Sequence, residues 1–154
     1  MESHCFDPRR AAVVAEAHDW LRTPYHHMGR VKGAGTDCLT FLAEVYERAG
    51  VLPHLEIAFY PPDWHLHRGE ERYLDGLLGY AREIEGPPQP GDIAMWRYGR
   101  CFAHAAIVVA WPQIIHAAAE LRMVSLGDAS QGQLARRAVR FFDPFIAAER
   151  QPVN

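Results

Sequence analysis

The chain has 154 residues, a length suited to one domain (1–154) that buries about two-thirds of its unfolded surface in a single core. With 49% hydrophobic and 23% charged residues it has an ordinary globular composition, and its formal net charge of -3 argues against a nucleic-acid binder, which carries a basic excess or stripe. Three unpaired-looking cysteines, Cys5, Cys38 and Cys101, exclude a disulfide framework, and the longest apolar run, Ala103 to Pro112, is too short to cross a bilayer.

The first ten residues contain no apolar stretch, so synthesis in the cytoplasm without a secretory signal is expected. Asp7-Pro8 followed by Ala11, Val14, Ala15, Ala17 and Leu21 predicts a capped helix with Pro8 at its first position, ending before Thr23-Pro24. A glycine-rich loop, Gly29 to Gly35, comes next, with His26, His27, Arg30 and Lys32 in or beside it. The second helix is the clearest. Thr36 or Asp37 is its cap, Leu42, Val45, Tyr46 and Ala49 line one face, and Gly50 ends it.

After an irregular stretch around Tyr60-Pro61-Pro62, Tyr73, Leu74, Leu77, Leu78 and Ala81 predict a third helix from Arg68 to Ile84. Gly86 to Asp92, with Pro87, Pro88 and Pro90, reads as a rigid turn. Five strands are then predicted: Ile93–Arg97, Ala103–Ala110, Gln113–Ala118, Leu121–Ser125 and Ala138–Phe142, with turns at Tyr98-Gly99-Arg100 and Gly127-Asp128. Helices followed by an antiparallel meander give an α+β domain, helices packed on a sheet.

The chemistry gathers at three positions. Cys38 falls on the first turn of the second helix, where unpaired backbone N–H groups and the positive end of the helix dipole favour thiolate. His104 and His116 each interrupt an otherwise apolar strand, twelve residues apart, which suits neighbouring antiparallel strands turning at Trp111-Pro112. Packing alone accounts poorly for two such imidazoles. Side by side they would share a hydrogen bond that sets the tautomer of the one nearer the thiol. Cys38, His104 and His116 thus read as nucleophile, base and orienter.

Zinc is the rival use of one Cys and two His, with His65, His67, His26 and His27 as further potential ligands. Against it, the chain has no CxxC, no HExxH and no close ligand pairing, so no metal or other cofactor is expected. Cys5 and Cys101 read as bystanders, although Arg100 beside Cys101 would lower its pKa. Phe141, Phe142 and Phe145 are either a docking surface or sheet-edge core.

Trp20-Leu21-x-Thr23-Pro24-Tyr25, the glycine loop, Asp37-Cys38, Gln89-Pro90-Gly91-Asp92-Ile93, His104-Ala105-Ala106-Ile107-Val108 and Ile115-His116-Ala117 resemble the NlpC family of cell-wall peptidases, a papain-like group. The likeness runs from about Ala12 to Ala118 and lies in the order and spacing of these motifs. It implies that Cys38 is the nucleophile, His104 the general base and His116 its orienter. It also implies that Tyr25 reaches the oxyanion or substrate and that Asp37 helps bind the peptide's amino end. Leu39-Thr40 replaces the Ser-Gly that follows the cysteine in many cell-wall members, so that serine's contacts do not transfer.

The implied substrate is the stem peptide of peptidoglycan. The compact length and Asp-Cys-Leu form look most like the branch found in phages and gene transfer agents. That implies a virion tail-tip location with tail-tip or hub proteins as partners, while charge and the short apolar runs lead to an expectation of neither nucleic-acid binding nor membrane insertion. Two alternatives remain open at this point: a non-catalytic structural tail-tip protein, and a papain-like acyltransferase or thioesterase.

Overall fold

The computed structural model describes residues 7–57, 79–99 and 101–149, with the backbone alone at 101–103 and 147–149. Helix α1 spans Pro8–Asp19, and its cap is the expected Asp7, whose carboxylate accepts from Arg9 N at 2.9 Å. Strands β1 (Arg30–Val31) and β2 (Gly35–Thr36) form a small hairpin where the glycine loop was expected. Gly33, at the bend between them, has φ of +80°, a left-handed conformation that glycine adopts without strain.

Helix α2 spans Cys38–Arg48 and is closed at its start by a reciprocal box. Thr40 N donates to Asp37 Oδ1 at 2.9 Å, and Asp37 N donates to Thr40 Oγ1 at 3.0 Å. Leu42, Val45 and Tyr46 bury the predicted face, and Gly50 at φ +75° ends the helix. Trp20, at the end of α1, meets the Phe41 ring edge-on at 5.9 Å and joins the two helices.

The sheet contains β3 (Arg82–Ile84), β4 (Ile93–Tyr98), β5 (Cys101–Ala110), β6 (Gln113–Ala118), β7 (Met123–Asp128) and β8 (Val139–Asp143), in the order β3-β8-β4-β5-β6-β7 and antiparallel throughout. A short helix α3 (Pro144–Glu149) follows. Both α1 and α2 pack on β5, and α2 also contacts β6. The domain is therefore the expected α+β arrangement of helices on an antiparallel sheet.

Several local expectations change. Residues 79–84 are not the end of a helix, because Arg82–Ile84 pair with Phe141–Asp143 and Glu83 meets Arg140 across the strands. Three residues with Ala81 and Ile84 at helical spacing cannot resist such a partner. The sheet is not a plain meander, since β8 returns to lie between β3 and β4. The strand expected from Leu121 begins at Met123, after a 3₁₀ turn over Ala119–Leu121, and Gly127-Asp128 belong to it rather than to a turn.

Phe142 and Phe145 are buried in the main core and Phe141 meets the Trp111 ring at 4.7 Å, so the docking alternative for these aromatics is overturned. The remainder of the predicted third helix (68–78), Tyr60, Pro61, Pro62, Trp64, His65, His67, Cys5, Arg100 and the Cys101 side chain lie outside the described residues. Among the described residues no helix is long and apolar enough to cross a membrane.

Two packed layers hold the sheet. One contains Ala105, Ile107, Ile115 and Ala117 against Phe41, Leu42, Val45 and Tyr46 of α2. The other contains Trp96, Ala106, Val108 and Ile114, with Tyr98, Trp111 and Leu134 at its margin. The Pro-Gly-Asp turn ties this frame to α1. Asp92 accepts from Gln89 N at 2.8 Å and from Arg10 Nη1 at 2.8 Å, while Arg10 Nη2 reaches Asp143 at 3.2 Å.

Candidate active site

Cys38 is the first residue of α2, half-buried against the main core. The Asp37 cap fixes this position, because its carboxylate gathers the backbone N–H groups of Leu39 (3.0 Å), Thr40 (2.9 Å) and, from the glycine loop, Met28 (2.8 Å). Asp37 is only 1% exposed. Its carboxylate is committed to the helix start and to the loop, which leaves it poorly placed to receive the amino end of a peptide.

Tyr25 lies on an isolated bridge to Thr36, one residue before that cap. Burial, reinforced by the charges of Cys38, Asp37 and Glu120, pushes its phenol above the ordinary value. It is therefore a protonated hydrogen-bond donor in the surroundings of Cys38.

His104 and His116 stand side by side on β5 and β6. His104 Nε2 lies 2.9 Å from His116 Nδ1, and the ring centroids are 5.1 Å apart. They sit diagonally across the two strands, on the same sheet face, because alternate residues of a strand share a face. Trp96, the direct cross-strand partner of His104, packs on it at 5.8 Å, and the Tyr98 ring meets it edge-on at 5.6 Å.

Burial, then the His116 imidazole and the Arg137 guanidinium, push His104 down to about 3. Burial pushes His116 down to about 4, against the pull of Glu120. Both rings are therefore neutral at neutral pH, so one must donate to the other. If His104 donates from Nε2, its Nδ1 keeps a lone pair and is a base. The opposite tautomer would leave Nδ1 protonated.

Tyr98 stands beside His104. Its ring touches His104, and its phenol is pushed up by burial and, among lesser causes, by the charges of Glu120 and Cys38. The structure thus brings His104 into contact with His116 and brings Tyr25 and Tyr98 into the electrostatic surroundings of Cys38. Tyr98, Glu120 and Arg137 are the members that sequence reasoning missed. Only Tyr98 left a signal there, an aromatic two residues beyond Trp96 and so on the same strand face as His104. Among the described residues, no three His, Cys, Asp or Glu side chains are arranged to hold a metal ion.

Solved structures share this arrangement of helices on an antiparallel sheet. The fold is that of NlpC/p60 domains. The chain is 23% identical to the NlpC/p60 domain of the peptidoglycan hydrolase SagA, with a TM-score of 0.59, covering 85% of this chain and 96% of that one. An NLP/P60 family protein of Staphylococcus aureus, similar to lipoprotein, matches at 19% identity and TM-score 0.61, over 90% of this chain but 42% of that one. RipD of Mycobacterium tuberculosis, described as a non-catalytic NlpC/p60 domain protein adapted to peptidoglycan binding, matches at 11% identity and TM-score 0.54, over 88% of this chain and 97% of that one. No family model matches the sequence, and no curated protein aligns with it significantly.

Proposed function

We propose that the protein is a cysteine peptidase that hydrolyses amide bonds in peptidoglycan stem peptides. The fold alone does not carry this reading, since RipD shares it and is described as non-catalytic. The carrying observation is the hydrogen-bonded, neutral His104–His116 pair on the two strands against which the helix that starts at Cys38 packs. Two buried imidazoles cost stability, and a purely structural sheet would fill those positions with apolar side chains.

In this reading His104 Nδ1 takes the sulfhydryl proton of Cys38 as the sulfur attacks the peptide carbonyl. His116 accepts from His104 Nε2 and holds the ring and its tautomer. Backbone N–H at the helix start and the Tyr25 hydroxyl stabilise the oxyanion. His104 then gives its proton to the leaving amine, and water, deprotonated by the same imidazole, cleaves the thioester. The helix dipole assists the sulfur, but the neutral His104 makes proton transfer concerted with attack rather than complete beforehand. Asp37 acts by capping α2 and thereby placing Cys38.

Delivery as part of a phage or phage-like tail tip, with hub proteins as partners, is the finer proposal. Its support is the likeness of Asp37-Cys38-Leu39 and of the compact length to that branch of the family. Mass spectrometry of purified murein after incubation should show released stem-peptide fragments with the wild-type protein and none with Cys38→Ala. Fragments from both, or from neither, would remove the peptidase reading. Acyl transfer would appear as amine adducts when a competing amine is present.

Gly127 provides a separate check on the orienter. A Cβ at Gly127 would lie 2.9 Å from His116 Nε2 and 3.3 Å from Ile114 Cγ1, so the imidazole occupies the space of the missing side chain. Gly127→Ala should displace the ring and lower kcat/KM on a stem peptide by about tenfold or more, as misplacement of a catalytic group does. Unchanged kinetics would show that the His116 position is not critical.

A further inference from the structure

Five of the described arginines have carboxylate partners: Arg9 with Asp7, Arg10 with Asp92, Arg30 with Glu44, Arg48 with Glu44 and Arg140 with Glu83. Arg137 differs. It closes the 3₁₀ turn Leu134–Arg136, donates from Nη1 to the Arg97 carbonyl at 3.2 Å, and lays its guanidinium 3.8 Å from the centre of the Tyr98 ring. Its Nε–H is out of water and has no acceptor, and among the described residues it makes no ion pair. Glu120, which shares the surroundings of Tyr98, does not pair with it.

A half-buried cation with an unanswered donor is an unfavourable arrangement, because the desolvated N–H has lost water and gained nothing. Stacking on Tyr98 and the single carbonyl bond hold the plane of the group and leave the Nε–Nη2 edge uncommitted. That edge has the two-donor geometry that matches a carboxylate. Its location gives it meaning. The Tyr98 ring beneath it touches His104, so a group bound on that edge lies within a few side-chain widths of the proposed base.

We propose that Arg137 is a specificity residue that binds a free carboxylate on the substrate peptide, next to the amide that is cleaved. This rests on the peptidase reading for its substrate class. A γ-linked glutamyl residue in a stem peptide carries such a group, its α-carboxylate, whereas the amidated form presents an uncharged carboxamide. The carboxylate then supplies the acceptor that Nε lacks and a counter-charge beside His104.

The test measures binding apart from catalysis. Calorimetry with the Cys38→Ala protein would compare L-alanyl-γ-D-glutamyl-diaminopimelate carrying the free α-carboxylate with the same peptide amidated at that group. The free acid is expected to bind about tenfold or more tightly, as a charge-assisted bond to a half-buried cation implies. Adding Arg137→Gln should erase the preference, and Arg137→Lys should keep part of it. Equal affinities, binding of neither peptide, or a preference that survives Arg137→Gln would overturn the assignment. Wild-type hydrolysis of both peptides is followed in parallel. If neither is cut while the free acid is still preferred in binding, the peptidase reading fails and the Arg137 assignment stands.

Discussion

His104→Ala is expected to lower kcat/KM on a stem peptide by more than about a thousandfold, to the level of Cys38→Ala, while the protein stays folded. In the proposed mechanism that imidazole takes the thiol's proton, and Tyr25 and Tyr98 do not replace it, since both hold theirs more tightly than usual. Folding should survive, because removing a buried imidazole also removes the cost of desolvating it. His116→Ala should cost less, as loss of an orienter leaves the base in place. His116→Asn should recover part of that loss, because an amide oxygen can accept from His104 Nε2. Steady-state kinetics on a defined peptide checks the order. His104→Ala within tenfold of wild type would show that His104 is not the base.

The second large effect is on stability against pH. Both imidazoles are held far below their ordinary 6.5, His104 at about 3 and His116 at about 4, chiefly by burial. Between about pH 4 and 6.5 the unfolded chain therefore binds a proton at each histidine that the folded chain refuses. Stability must then rise with pH across that window and level off above it. Linkage sets the slope at about 1.4 kcal/mol per pH unit for each histidine when the difference in bound protons is complete. Denaturant unfolding at several pH values should show most of the wild-type loss between pH 6.5 and 4. His104→Gln/His116→Gln should flatten that region. An equally steep slope in the double variant would mean that the imidazoles are not the buried neutral pair described.

How legible the site was in the sequence depends on the range of the interaction involved. The cap at Asp37, the start of α2 at Cys38 and the stop at Gly50 depend on residues within a turn of one another, and all three are where the local pattern puts them. The hydrogen bond between His104 and His116 was also legible. A twelve-residue spacing across a short turn determines which strand positions become neighbours. The role of Asp37 was less so. Its place before the cysteine suggested contact with substrate, but only the loop folding back through Met28 shows how fully its carboxylate is committed.

Chain-local chemistry therefore decided the helix starts, the thiol's position and the pairing of the imidazoles, because each is settled by contacts only a few residues long or across one turn. The tertiary structure alone decided that Arg82–Ile84 pair with β8 as a strand and that β8 returns beside β4. It also gathered Tyr98, Glu120 and Arg137 around the imidazoles from three separate segments. Those outcomes depend on partners tens of residues away, and no periodicity within a segment records which distant segment will come to lie against it.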